Sequence, residues 1–215
     1  MTSRGEFLAQ LVERILQAQT TGILRVGING VDGSGKTCLA DELAPLLRAQ
    51  NANVIRASID GFHNPRAVRY VQGKTSPQGF FQDSFDLDSF QNLLLKPLSA
   101  GGDFHYKTAA FDHGSNNKVK MAFTKAKPPA ILLVDGIFLF SDPLKQHFDL
   151  KIFLDVPFEV SYARMAKRDG SSADPYAPEN KRYYQGQKLY FAACKPQQQA
   201  DILIDYANLK RPKIL

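Results

Sequence analysis

Cysteine is scarce in this chain: Cys38 and Cys194 are the two present among 215 residues, far apart and outside any C-x-x-C spacing. That pattern argues against a disulfide framework and against a thiolate zinc site, and it fits a reducing cytoplasm. No apolar run approaches the roughly 20 residues that a membrane-crossing helix requires. The N-terminus lacks the charged-then-apolar order of a secretory signal, and Glu6 and Glu13 speak against a transit peptide. These absences predict a cytoplasmic protein without membrane association. Also missing are an internal repeat, a low-complexity tract and a long basic run. Lys and Arg outnumber Asp and Glu by 27 to 21, a formal net charge of +6, but they are dispersed. Dispersed positive charge suits a polyphosphate site better than a nucleic-acid partner. No nucleic-acid recognition motif appears either, so no stable partner of that kind is expected.

What is present is the makeup of one globular domain. The composition is 44% hydrophobic and 22% charged, and 215 residues accommodate one sizeable core but would cramp two. Residues 3–18 predict an amphipathic helix: Ser3 and Glu6 have capping-box spacing, and Phe7, Leu8, Leu11, Ile15 and Leu16 share a face. A β-rich run over 23–28 leads into a glycine-rich loop and then a helix through Leu47. Further strands are expected at 54–59, 130–134, 151–156 and 201–204, with helices at 88–95, from Pro157 to Arg168, and at 179–194. Strands alternating with helices imply an α/β fold, a central parallel sheet with helices on both faces. Residues 61–84 and 99–128 read as irregular. Loops that long inside a compact domain are more often functional than idle, so substrate contacts are expected there.

The segment Gly30-Val31-Asp32-Gly33-Ser34-Gly35-Lys36-Thr37 satisfies G-x-x-x-x-G-K-[ST], with a strand before it and a helix after it. Glycines let successive backbone N–H groups point at phosphates where a side chain would clash, and the helix N-terminus aims its positive end at the same anion. Lys36 can reach the β- and γ-phosphates of ATP, and the Thr37 hydroxyl can coordinate Mg2+. Asp32, Ser34 and the three glycines complete the expected nucleotide-binding set. Ile131-Leu132-Leu133-Val134-Asp135 places a carboxylate at the end of a buried strand, where it could hold Mg2+ directly or through water, or could cap the turn at Gly136. Asp60, in Ser58-Ile59-Asp60-Gly61-Phe62-His63, follows another strand. It could orient an acceptor hydroxyl and take its proton, or form an Asx turn before Gly61; His63 could serve or contact the acceptor.

GVDGSGKT from Gly30, SIDGFH from Ser58, LLVDGIF from Leu132 and FLDVPFEVSYARMAKRD from Phe153 resemble, in this order and spacing, the phosphoribulokinase/uridine kinase family. In closer detail the chain resembles bacterial uridine kinase-like members, and the likeness runs from about Ile23 to Ile214. Asp60-Gly61-Phe62 is also similar to a segment of type I pantothenate kinases. The resemblance implies a three-layer P-loop NTPase fold in one kinase domain over 1–215, with a small helical lid at about 164–185. It implies Asp60 as the catalytic base and Asp86 as the acid that binds ribose hydroxyls, although the family's F-D-H-P is here Phe85-Asp86-Leu87-Asp88, and Asp88 can instead cap the next helix. It aligns Tyr106 and His113 with a segment that reads the nucleobase; Tyr106 as core is the other reading. Arg164 and Arg168, four apart on the helix after Pro157, become lid arginines that close over the phosphates, with Lys167 beside them. The alternative is a solvated helix end in which Arg168 pairs with Asp169. Asp135 stands where the family often carries Glu, which implies a water-mediated Mg2+ contact. Arg182, Tyr183, Gln187 and Tyr190 match a segment without an assigned role.

These features predict an ATP- and Mg2+-dependent kinase acting on a small-molecule hydroxyl, first a pyrimidine nucleoside 5′-hydroxyl, with a homo-oligomer possible. Arg66 and Arg69 keep an anionic acceptor open, such as pantothenate or a sugar phosphate, beside a simple sugar. A GTPase switch would need N-K-x-D, and Asn117-Lys118-Val119-Lys120 has Lys at the Asp position. A nucleic-acid-binding ATPase would need a basic stripe that the sequence does not show.

Overall fold

The computed structural model describes residues 3–215. Ser3 caps the first helix, α1 (Arg4–Ala18), with the reciprocal capping box its sequence predicts: Ser3 Oγ accepts from Glu6 N, and the Glu6 carboxylate accepts from Ser3 N at 2.7 Å. Strand β1 (Ile23–Gly30) then runs into the glycine-rich loop and α2 (Lys36–Ala49), which passes Pro45 without breaking. Strand β2 (Val54–Ser58) ends in a 3-10 turn over Ile59–Phe62 that carries Asp60. After α3 (Pro77–Asp83) come β3 (Ala130–Gly136), β4 (Leu150–Asp155), α4 (Phe158–Asp169), α5 (Lys181–Cys194), β5 (Ile202–Asp205) and β6 (Lys213–Ile214).

The sheet order is β6-β5-β4-β1-β3-β2, parallel throughout except for β6, which pairs antiparallel with β5. β3 is buried along its whole length, and its side chains alternate between two cores. Ile131 and Leu133 join Phe7, Leu11, Ile15, Leu39 and Leu43 on one face. Leu132 and Val134 join Phe62, Phe90, Phe140, Phe153 and Tyr190 on the other. Each such aliphatic side chain withdrawn from water stabilises the fold by about 1.5–3 kcal/mol, which makes β1 and β3 a rigid floor for the loops at their C-terminal ends.

Residues 61–84 and 99–128 are not structureless. The first holds the short helix Arg66–Arg69 and α3; the second folds into two small antiparallel ribbons, His105–Tyr106 with Thr124–Lys125 and Phe111–Asp112 with Asn117–Lys118. The helix expected at 88–95 begins one residue earlier, as Leu87–Phe90, and continues as a wider π turn through Leu95. Its cap is Asp86, not Asp88: Asp86 Oδ1 accepts from Ser89 N at 2.9 Å and Oδ2 from Ser89 Oγ at 2.6 Å.

Candidate active site

β1, β2 and β3 end side by side, so the three strand-end loops open on one cleft of about 430 Å3. On one side stands the glycine-rich loop. Gly35 takes φ +97° and Gly33 φ +69°, left-handed conformations that glycine adopts without steric penalty. A methyl group on Gly33 would lie 2.5 Å from the Ser161 carbonyl oxygen, so the loop rests directly on α4. No side chain caps α2, which leaves its first-turn N–H groups to face an anion. Gly30 and Ser34 belong to the loop but do not line the cleft. Ser34 is fully buried, its N–H donates to Val31 O at 3.1 Å, and a Cβ on Gly30 would meet its Oγ at 2.8 Å.

Lys36 is buried, and its Nζ donates to Val31 O at 2.7 Å, from the floor of the cleft. Burial pushes its ammonium below its ordinary pKa, against the opposing pull of Asp32, Asp135 and Asp60. Asp32 is pushed up, first by burial, and is clasped by Gln187: its Oδ2 accepts from Gln187 Nε2 at 2.8 Å, and its N–H donates to Gln187 Oε1 at 3.3 Å. Thr37 Oγ1 donates to Asp135 Oδ2 at 2.6 Å, while Arg56 Nη1 lies 2.7 Å from Asp135 Oδ1. A hydroxyl and a carboxylate converging at the loop are hard oxygen donors of the kind Mg2+ accepts, since that ion keeps several waters and takes further oxygens from phosphates. The described residues hold no group of three or more His, Cys, Asp or Glu arranged as a metal cage.

Across the cleft, Ser58 ties the two acidic strand ends together. Its Oγ accepts from Asp60 N at 3.3 Å and donates to Asp135 O at 3.3 Å. The Asp60 side chain is 61% exposed and stands 3.6 Å from His63 Nε2. Desolvation pushes Asp60 up, but nearby His63, at 3.6 Å, together with Lys36 and His113, outweighs it and holds the carboxyl below the ordinary carboxylate range. His63 Nδ1 lies 3.0 Å from the Ser84 carbonyl, a pure acceptor, so Nδ1 carries a proton. The His63 ring is flanked by Phe85 at 4.5 Å and by His113 at 4.8 Å, tilted by 30° and 44°, which makes that side of the cleft an aromatic wall.

The structure therefore brings Asp32, Gly33, Gly35, Lys36, Thr37, Asp60, His63, His113, Asp135 and Arg168 to one cavity. Asp86, Tyr106 and Arg164 are not among its walls. Asp86 is occupied as a helix cap, and Tyr106 is half-buried in a ribbon against the second core. Arg164, expected over the phosphates, instead pins the back of the loop: it donates to Ser34 O at 3.0 Å, Tyr206 O at 2.8 Å and Ala207 O at 2.9 Å. Arg164→Met should accordingly lower unfolding free energy by about 2–4 kcal/mol in urea denaturation, because carbonyl oxygens lose charge-assisted donors. Unchanged stability with reduced turnover would instead make Arg164 a phosphate contact. Arg168 is exposed and pairs with Asp169, Nη2 to Oδ2 at 2.6 Å; an exposed pair of this kind is weak and readily exchanged for a phosphate.

Other positions gain roles that no motif announced. Arg182, buried on α5, donates to Gly73 O at 3.0 Å, Lys74 O at 3.1 Å and Arg69 O at 3.0 Å, fastening the loop that follows the Asp60 turn. The Tyr190 hydroxyl accepts from Phe140 N at 3.1 Å and bonds Asn29, one residue before the glycine-rich loop. Tyr162 lines the cleft, and its hydroxyl is buried without a hydrogen-bond partner. Its signal lay inside the quoted α4 segment, but nothing in the residue pattern marked it as facing the loop.

Residues 25–205 match the model of the phosphoribulokinase / uridine kinase family. Among curated proteins, the chain is 26% identical over 147 residues to a uridine kinase of Leuconostoc citreum, covering 68% of each chain. It is 25% identical over 197 residues to a uridine kinase of Proteus mirabilis, covering 88% of this chain and 90% of that one. Of solved structures, a possible uridine kinase from Bacillus stearothermophilus superposes with a TM-score of 0.73 at 23% identity, covering 92% of this chain and 97% of that one, a likeness of fold. A putative fructose transport system kinase from Silicibacter superposes with a TM-score of 0.69 at 25% identity, covering 90% and 96%. The chain belongs to the phosphoribulokinase / uridine kinase family and is an ATP-dependent phosphotransferase that acts on a hydroxyl group.

Proposed function

We propose that this kinase, as a single domain with a lid over about 164–185, transfers the γ-phosphate of ATP, bound with Mg2+, to the 5′-hydroxyl of a pyrimidine nucleoside. The observation that carries the reading is one cleft with the phosphate loop on one side and, on the other, Asp60 beside the His63–Phe85–His113 wall. Flat rings suit a nucleobase by offset or edge-on contact. The names of the curated relatives, uridine kinases, point the same way. Arg66 and Arg69, which would favour an anionic acceptor, do not line the cleft.

In this reading Gly33, Gly35 and the α2 N-terminus hold the phosphates, with Gly30, Asp32 and Ser34 shaping the loop behind them. Thr37 and Asp135 would hold Mg2+, which would supply positive charge to offset that of the phosphates. Lys36 leaves Val31 O for the β- and γ-phosphate oxygens, and Arg168 leaves Asp169. Asp60, ionised at neutral pH, aligns the acceptor hydroxyl and receives its proton as the new O–P bond forms, the β,γ-bridging O–P bond breaks and ADP departs. His63 fixes the Asp60 carboxylate, and with His113 it contacts the base. Tyr162 offers its orphaned hydroxyl to the nucleotide. Asp86 and Tyr106 could join only by moving.

A sugar is the second reading, favoured by the Silicibacter neighbour, which is named a fructose transport system kinase. An ADP-release screen separates the two: uridine and cytidine should stimulate release strongly, and pantothenate, sugars and sugar phosphates should not. Stimulation by a sugar or an anionic acceptor alone would overturn the nucleoside assignment.

A further inference from the structure

A second cleft, of about 480 Å3, lies behind the glycine-rich loop and shares Gly33, Gly35 and Arg168 with the first. Tyr206 and Leu209 form part of its wall, and Arg4 also lines it. The two clefts meet at those shared residues, so a nucleotide whose phosphates lie in the first has room for its nucleoside end in this one. Gly35 is the contact point. A Cβ there would meet the Tyr206 ring at 3.1 Å and Leu209 at 3.8 Å, so the wall leans directly on the phosphate loop.

That wall is held from the far end of the chain. Arg4, in the first turn of α1, forms a fork with Glu42 of α2, Nε to Oε2 at 3.0 Å and Nη2 to Oε1 at 2.8 Å. Nη2 also donates to the Tyr206 hydroxyl at 2.8 Å, and Nη1 donates to the Leu209 carbonyl. One guanidinium thus joins α1, α2 and the 206–209 segment. Arg4 and residues 206–209 both lie outside the residues that the family model matches.

We propose that Arg4 is a positioning residue for the nucleoside end of ATP, acting through Tyr206 and Leu209, so that α1 is a working part of the nucleotide site. The inference rests on the reading that ATP phosphates occupy the 30–37 loop. A planar fork fixes both groups at once in a way a lysine point charge cannot.

Calorimetric titration with Mg·ATP and, separately, with magnesium tripolyphosphate tests the proposal, because tripolyphosphate fills the phosphate loop without a nucleoside. Arg4→Met should weaken ATP binding about tenfold and leave tripolyphosphate binding within about twofold. Glu42→Gln, which keeps the shape but removes the charge behind the fork, should weaken ATP about threefold and spare tripolyphosphate. Glu42→Gln decides the matter if Arg4→Met does not fold. Arg4→Lys should recover only part of the lost affinity. Unchanged ATP affinity in the variants, or equal losses for both ligands, would overturn the proposal while leaving the kinase reading intact. An unmodified chain that binds neither ligand would overturn that reading and the proposal together.

Discussion

Asp60→Asn is expected to slow phosphoryl transfer by about 10³-fold while leaving ATP affinity within about twofold. The substitution keeps the size and planarity of the side chain and removes its ability to receive a proton. In the proposed mechanism Asp60 is the base: it stands in the turn after β2, 61% exposed, 3.6 Å from His63 Nε2, and lines the same cleft as Lys36. Its lowered pKa fixes the sign of the pH dependence. Ionised Asp60 persists through neutral pH, and its contribution disappears only as pH falls through that lowered value. Its backbone is held by Ser58, so the turn should survive the change. Steady-state kcat and an independent ATP titration check both halves, and full turnover in the variant would remove Asp60 from the chemistry.

Lys36→Ala should be more general in its damage, with kcat down by about 10²–10³-fold and ATP affinity reduced as well. Lys36 is buried beside Asp32, Asp135 and Asp60, and burial pushes its ammonium below its ordinary pKa against the opposing pull of those carboxylates. Removing it leaves Asp32, Asp60 and Asp135 without that cation beside the loop proposed to hold the phosphates, and repulsion replaces attraction at short range. Its hydrogen bond to Val31 O is a resting contact that a phosphate oxygen would take over. The same titration and rate measurements apply, and near-normal turnover would be incompatible with phosphates bound at this loop.

The glycine-rich loop and the strand-end carboxylates were legible because their signals are local. A run such as 131–134 must be a buried strand, so the next residue, Asp135, is delivered to the sheet edge where β1 also ends. The capping box of Ser3 and Glu6 was legible for the same reason. What escaped depends on partners distant in the chain. Arg164 carries the same charge as Arg168 on the same helix, yet one is drawn to the carbonyls of 34, 206 and 207 and the other faces the cleft. Nothing within a helical turn of Arg164 encodes that difference. Asp86 resembled a sugar-binding acid, but Ser89, three residues on, claims both of its oxygens. Gln187 and Arg182 hold loops more than 100 positions earlier, and only the packed fold brings those carbonyls and amides to α5.

The most direct measurement is the identity of the product formed by the unmodified chain from Mg·ATP and uridine, followed by 31P NMR. Phosphate on the nucleoside 5′-oxygen, formed one-for-one with ADP, is the expected result. ADP appearing at the same rate without uridine, with inorganic phosphate as its only partner, would contradict it.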